Sequence, residues 1–407
     1  MISQFYPPIV GGEESIVQDL SRSLAGRGHD VAVATIRHGD SPAIERSGSL
    51  TIYRFTPTTA RLSGLYGDDR RRHAPPMPDP EGSLALRRII AFQQPEVIHG
   101  HNWLAHSLVP LTWLDDRPFV HSLHDYSLIC ATKRLMHFGH NCSGPASAKC
   151  MRCSANHYGK IQGPLVSLAR SLSTPALKRA VDLFLPVSEV VAQRSGLRAG
   201  GTPYEIVPNF LPDASFRRGR PELSALSGLP RGEFILYAGD LSEDKGVGVL
   251  VEAYRRSRSN LPLVLIGRAS GVAVPDGAGI RVLQPLERSA MPEAWRRCSI
   301  AVVPSIVEET FGLVALEAMA AGCAIIASSA GNLSELVRTG ETGVVVPPDD
   351  VVALAEAIAG LSSDEGLRER LGAAAARAAT AYSESAIVPR VERIYEHVRE
   401  RRLGPAT

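Results

Sequence analysis

The sequence lacks most of what marks a specialised protein class. No stretch of its 407 residues approaches the ~18 consecutive apolar residues of a membrane span. The opening Met1-Ile2-Ser3-Gln4-Phe5 has no charged region followed by an apolar run, which argues against a signal peptide. Charge is nearly balanced, at a formal +2, so the chain as a whole gives no case for nucleic-acid binding. Short basic runs at Arg70-Arg71-Arg72 and at Arg217, Arg218 and Arg220 read as solvated loops. Together these absences point to a cytoplasmic protein and leave peripheral contact with the inner membrane face open. Cysteine is scarce too, with six in all, yet four fall between residues 130 and 153.

What is present is ordinary globular composition, 44% hydrophobic and 21% charged. The length is too great for one compact core and suggests two domains. Short apolar runs recur at Val31–Ile36, Val97–His99, Phe119–Leu123, Leu183–Pro186, Phe234–Tyr237, Leu263–Ile266, Ile300–Val303, Ala324–Ala327 and Val344–Val346. Their unbroken apolar character fits strands buried on both faces. Amphipathic segments such as Glu14–Ala25, Val247–Ser257 and Leu313–Ala321 lie between them. Alternation of this kind predicts an α/β protein with parallel sheets wrapped by helices. Residues 61–80 read as a surface loop, and residues 130–158 as an irregular insertion. A domain boundary is expected near Val207-Pro208-Asn209, before the polar stretch 213–232. A last amphipathic helix is expected over Glu384–Arg401. Only Ile2–Phe5 precedes the first glycine loop as a strand, which suggests that the start lies a few residues upstream.

Four strand-to-helix turns carry candidate chemistry. In Pro304–Leu313 the segment Glu309-Thr310-Phe311-Gly312 follows a buried strand and opens a helix, where free amides and the positive dipole end suit an anion. Glu309 and Glu317, if both helical, would stand ~12 Å apart along the axis and could grip two polyols. The plainer reading is two surface glutamates on an amphipathic helix. Tyr237–Gly246 places Lys245 on another such turn, within reach of a diphosphate. Gly11-Gly12 at the first turn can cradle phosphate oxygens with backbone amides, or make a plain tight turn. His124, in His121-Ser122-Leu123-His124-Asp125-Tyr126, lies at the C-terminal edge of a parallel sheet, where ligands bind. His99 and His101 line a neighbouring strand end.

Taken together these residues resemble the large retaining family 4 of glycosyltransferases, over nearly the whole chain. The most specific parts are Glu309-Thr310-Phe311-Gly312 with Glu317, then Lys245-Gly246. Val187-Ser188-Glu189, Val207-Pro208-Asn209 and Gly343 with Pro347-Pro348-Asp349 add order and spacing. The resemblance implies a GT-B fold, two Rossmann-like domains facing across a cleft. Residues 1–207 would form the acceptor side, with the insertion 130–158 and the final helix 386–407 packing back on it. Residues 208–385 would bind the nucleotide sugar. Glu317 then looks like the ribose ligand. Glu309 looks like the donor-sugar ligand, with the Phe311, Gly312 and Leu313 amides beside it. Lys245 looks like a diphosphate ligand, His124 the histidine near the reacting carbon, and Gly12, beside Gly11, the phosphate-side glycine. The implied reaction moves a hexose-type sugar from a UDP- or GDP-sugar donor to an unidentified acceptor and requires no cofactor. A nucleotide-sugar epimerase or hydrolase, or a non-catalytic binding subunit, are the competing readings. One position departs from the family, which usually has arginine after the glycine of the lysine loop. Here it is Asp240, and Arg268 is the candidate substitute cation, with bound Mg²⁺ the other.

The clustered cysteines, Cys130, Cys142, Cys150 and Cys153, are spaced C-x11-C-x7-C-x2-C. The closing C-x2-C pair suits a tetrahedral ion, so a structural Zn²⁺ is expected. Free buried thiols, a redox disulfide and an iron–sulfur centre are the alternatives. His137, His140 and His157 stand in reserve as ligands.

Overall fold

The computed structural model describes residues 1–9, 11–61, 73–217, 226, 228–272 and 277–403. The Arg70–Arg72 run, Arg218, Arg220 and most of the 61–80 loop lie outside these. The chain forms two compact units, Met1–Asn209 with Ile387–Thr407, and Phe210–Ala386.

In the first unit the strands are β1 (Val31–Ile36), β2 (Ile44–Ser47), β3 (Leu50–Phe55), β4 (Ile98–His101), β5 (Phe119–Leu123), β6 (Met136–His137), β7 (His140–Asn141) and β8 (Leu183–Pro186). Helices α1 (Gly12–Gly26), α2 (Pro80–Gln93), α3 (Ser147–Tyr158), α4 (Gln162–Ala180) and α5 (Glu189–Arg194) connect them. β1 pairs parallel with β3, and β5 stands parallel between β4 and β8. Ile2 joins these two groups, bridging Ala34 on one side and Gly100 on the other. The expected first strand is therefore a single bridging residue. β2 runs antiparallel to β3, so this sheet is not wholly parallel as expected. Helix starts are set locally. Asp79 accepts from the Gly82 amide ahead of Pro80, and Ser188 caps α5 through the Val191 amide.

The second unit contains β9 (Ile235–Ala238), α6 (Val247–Ser257), β10 (Leu263–Ile266), β11 (Ile280–Leu283), α7 (Met291–Arg297), β12 (Ile300–Val303), α8 (Leu313–Ala321), β13 (Ala324–Ser328), α9 (Leu333–Leu336), β14 (Val344–Val346), α10 (Val351–Ser363), α11 (Glu365–Ala379) and the start of α12 (Glu384–Leu403). Its six strands stand in the order β11-β10-β9-β12-β13-β14, all parallel. This is the doubly wound order 3-2-1-4-5-6, and the direction of winding reverses between β9 and β12. Strand residues Leu263, Leu265, Ile300, Val302 and Ile326 pack with Leu250 of α6 and Leu354 and Ile358 of α10 in one buried core.

Two expectations need correction. Helix α8 begins only at Leu313, so Glu309 is not helical and the ~12 Å axial separation from Glu317, which required both to be helical, does not hold. Gly312, at φ 95°, breaks the helix upstream in a conformation that favours glycine. Residues 130–158 are also less irregular than expected, forming the β6–β7 hairpin and α3. Ser154 is the buried residue of α3, so that helix has no apolar stripe by which periodicity could reveal it.

Candidate active site

The second unit brings two of the expected residues, Lys245 and Glu309, together at the C-terminal ends of β9 and β12. Ligands of doubly wound sheets bind in the crevice at such a reversal point. The loop after β9 carries Lys245, and the loop after β12 carries Glu309. Lys245 Nζ donates to Glu309 Oε1 at 2.6 Å, and Ser305 Oγ donates to the same oxygen at 2.6 Å. The two loops are joined through their backbones. The Ile306 and Val307 amides both bond the Asp244 carbonyl, at 2.9 and 3.1 Å. Gly246, at φ 71°, lies so close to the Pro304 carbonyl that a Cβ there would sit 2.0 Å from its oxygen.

Burial is the largest influence on Glu309 and pushes its carboxyl up. The Lys245 charge and the bonds from Lys245 and Ser305 together outweigh it and hold the group below its ordinary range. Behind it, the Asn332 amide donates to the Glu309 carbonyl at 2.8 Å, and Asn332 Nδ2 to the Phe311 carbonyl at 2.9 Å. The Phe311 ring is buried, edge-on to Tyr382. Gly312 and Leu313 then open α8, whose first amides have no partner inside the helix. Glu317 lies one turn into α8 and accepts from Trp295 Nε1 at 3.2 Å. Its carboxyl is raised by burial, against weaker pulls from Trp295 and Arg288.

Arg268 stands beside Asp240, with Nε 3.9 Å from Oδ1, both side chains well exposed. The Leu241 amide bonds the Arg268 carbonyl, so the lysine loop and the end of β10 lie side by side. An exposed pair at this distance contributes little to stability. It does put a cation next to the departing aspartate.

In the first unit His124 follows β5 and meets His101 of β4, Nε2 to Nδ1 at 3.0 Å. Burial drives the His124 pKa down to about 4, against weaker opposing effects of Asp125 and Asn209, so the ring is neutral at physiological pH. His99 bonds Tyr395 and Ser122, a structural role. Gly11 caps α1 with no side-chain bond, and Gly12 begins the helix. Beside them Glu13 Oε1 accepts from Asn102 Nδ2 at 2.5 Å. Burial, then Asp125 and Glu14, raise the Glu13 carboxyl to about 8. Sequence reasoning missed Ser305, Trp295, Asn332, Glu13 and Asn102. The Asn102 backbone at φ 60° leaves no mark in composition, and the others contact their partners only through the fold.

The metal ligand set expected at Cys130, Cys142, Cys150 and Cys153 is not assembled. Among the described residues no three His, Cys, Asp or Glu side chains converge to hold an ion. Each thiol has its own local partner: Thr132 Oγ1 for Cys130, the Gly144 carbonyl for Cys142, the Ala146 amide for Cys150 and the Met136 carbonyl for Cys153. The four are still near enough that the other three cysteines, after burial, raise the Cys153 pKa.

Comparison with known proteins decides the family. The model of Glycosyltransferase Family 4 matches residues 10–214, and that of Glycosyl transferases group 1 matches residues 221–378. The chain belongs to glycosyltransferase family 4. Glycogen synthase of Mycobacterium tuberculosis is 29% identical to this glycosyltransferase over 92% of its length and 88% of the relative's. The phosphatidyl-myo-inositol mannosyltransferase of Mycobacterium leprae is 31% identical over 58% of the chain and 68% of its own. Among solved structures, sucrose-phosphate synthase of Thermosynechococcus elongatus superposes with a TM-score of 0.73 at 21% identity over 98% of both chains. An Anabaena protein solved with UDP-glucose gives 0.66 at 17% identity over 97% of both chains. The enzyme thus has the GT-B fold, and the two units described above are its Rossmann-like halves. No described helix is long and apolar enough to cross a membrane.

Proposed function

We propose that this glycosyltransferase transfers a hexose-type sugar from a UDP- or GDP-sugar to an acceptor bound by the first unit, with retention of configuration. The observation that carries the donor side is the Lys245–Glu309 pair at the reversal point between β9 and β12. A diphosphate there would draw Lys245 toward its oxygens, with Arg268 and the first amides of α8 as further donors. Glu309, released from the lysine and still bonded by Ser305, would accept from sugar hydroxyls, and Glu317 from the ribose. The bond from the anomeric carbon to the phosphate oxygen breaks as the acceptor oxygen bonds that carbon on the same face. The leaving phosphate oxygen takes the acceptor's proton. Negative charge develops on that oxygen, and fixed cations and amides stabilise it, usually the largest catalytic contribution. His124, neutral, would donate to or accept from the sugar beside the reacting carbon without adding charge.

The test is a panel of labelled UDP-, GDP- and ADP-sugars with wild type and Glu309→Ala. One donor should bind and turn over slowly to water in the wild type alone, with the released sugar first appearing in the donor's anomeric configuration. Turnover by Glu309→Ala at the wild-type rate would remove the sugar site. Release of the opposite anomer would remove retention.

Zinc at the cysteine module rests on the C-x2-C spacing and on thiols that already influence one another, and the thiols would have to leave their present partners. About one equivalent in protein purified without added metal, lost in Cys150→Ser/Cys153→Ser, would establish it. Metal-free, folded protein would remove it.

A further inference from the structure

Helix α4 is built inside out. Its buried positions are Gly163, Ser167, Arg170 and Leu177. Apart from Leu177, its leucines face the other way. Ile161, just before the helix, and Leu165, Leu168 and Leu172 within it are 79, 60, 53 and 71% exposed. The 4-3-4 spacing puts all four in one stripe along the helix. An ordinary surface helix turns such a stripe to the core. Here the first two inner positions, Gly163 and Ser167, are small, and α4 presses against α3 so closely that a Cβ at Gly163 would lie 2.1 Å from the Ser154 carbonyl oxygen. Met151 on α3, which packs on α4, is exposed as well.

The charge around this stripe is one-sided. From residue 126 to residue 181 the sequence has no Asp or Glu, against eight Lys or Arg. Arg152, Lys160 and Arg179 are exposed. None of these three pairs with a carboxylate among the described residues. A chain with a net charge of only +2 therefore carries a local excess of eight positive charges in the segment that bears this exposed apolar stripe.

We infer that the α3–α4 face docks on an anionic lipid surface, with Ile161, Leu165, Leu168 and Leu172 entering the headgroup boundary and the surrounding lysines and arginines meeting lipid phosphates. Apolar burial and attraction to anionic lipid act together in this kind of association. A second copy of the chain fits less well. A two-fold contact through this face would set two acid-free, basic segments against each other. The inference is independent of the donor assignment, because none of its residues lies in the second unit.

The experiment is co-sedimentation of the full chain with two kinds of vesicle. One is phosphatidylcholine alone, and the other carries about one third phosphatidylglycerol, enough to give a strong negative surface potential. Binding is expected to the second only, and to weaken as salt rises. Leu165→Ser/Leu168→Ser should lower the partition coefficient by about tenfold or more with little change in Tm and none in donor affinity, since both residues are more than half exposed. Arg152→Glu/Lys160→Glu/Arg179→Glu should lose binding in the same way without touching the apolar stripe. Wild-type protein that ignores phosphatidylglycerol vesicles at low salt would overturn the proposal. So would charge-reversed protein that binds as tightly as wild type. Concentration-dependent dimerisation abolished by the leucine substitutions, with no vesicle binding, would overturn it and assign the stripe to a second copy. Donor affinity measured on the same samples separates any of these results from failure of the active-site reading.

Discussion

Replacing Lys245 with methionine keeps the chain length and removes the charge, and it should act on binding, catalysis and stability at once. In the wild type Lys245 is about one-third exposed and Glu309 mostly buried, 2.6 Å apart. Removing one partner of a fully buried pair costs ~3–5 kcal/mol, and exposed pairs contribute ~0–1. With water reaching the lysine, the expected loss of stability is about 1–2 kcal/mol. The pH dependence gives the sign. Glu309 is held below its ordinary value, so the pair stabilises the fold above about pH 4.3, and that stability disappears as pH falls through the depressed folded value. Without the lysine the influence of burial is left, the carboxyl rises, and the cost is largest at neutral pH. The gap in Tm between variant and wild type should therefore be widest near pH 7 and narrow toward pH 4. The catalytic cost of losing a direct contact with the leaving diphosphate should be about 2–4 kcal/mol, or about 30- to 1000-fold in kcat/KM. Slow donor hydrolysis reports this without knowledge of the acceptor. A variant within threefold of wild type, or a Tm gap that is the same at pH 7 and pH 4, would refute the role of the pair.

Other outcomes follow from the same geometry. Glu317→Ala should weaken nucleotide binding, measured by titration calorimetry, with little change in Tm, because it loses one bond to Trp295. Arg268→Ala should lower donor affinity, and Asp240→Arg should preserve or raise it; unchanged affinity in the first, or activity that vanishes with a chelator, would turn attention to Mg²⁺. Gly312→Ala should destabilise by about 1–2 kcal/mol in chemical denaturation, since the backbone is at φ 95° and the new Cβ would meet Leu333 at 2.7 Å. Four buried histidines of the first unit, His99, His101, His106 and His121, and the half-buried His124 all have pKa values lowered chiefly by burial. The unfolded chain protonates them near pH 6.5 and the folded one does not, so stability should fall from there toward pH 4, by on the order of 1 kcal/mol per histidine at pH 5.5. Flat denaturation midpoints between pH 7 and pH 5 would contradict this.

Much of the second unit could be read from sequence because its strands are apolar on both faces. Ile300–Val303 and Leu263–Ile266 stand out from any flanking helix, and both match the observed strands. The first unit hid more. Ile44–Ser47 is an exposed edge strand with no buried residue to betray it. Leu50–Phe55 carries Arg54, buried among backbone carbonyls and paired with Glu45, a charge that composition assigns to the surface. The site was legible as motifs and illegible as geometry. Glu309 and Lys245 could be named, but their bond depends on Gly246 lying against Pro304, some 60 residues away in the sequence. With the cysteines, too, the spacing could be read while the local partner of each thiol could not.

That close fit between the lysine loop and the glutamate loop has a bearing on how such enzymes diversify. The Asp244 carbonyl, the Gly246 backbone and the Pro304 carbonyl tie residues 239–246 and 304–312 into one structural unit. Transplanting either stretch alone from a relative with a different donor would break the shared contacts and misplace both charged groups. Exchanged together, they form a portable cassette, so new donor preferences in this scaffold would arise more readily by joint replacement than by stepwise drift in one loop.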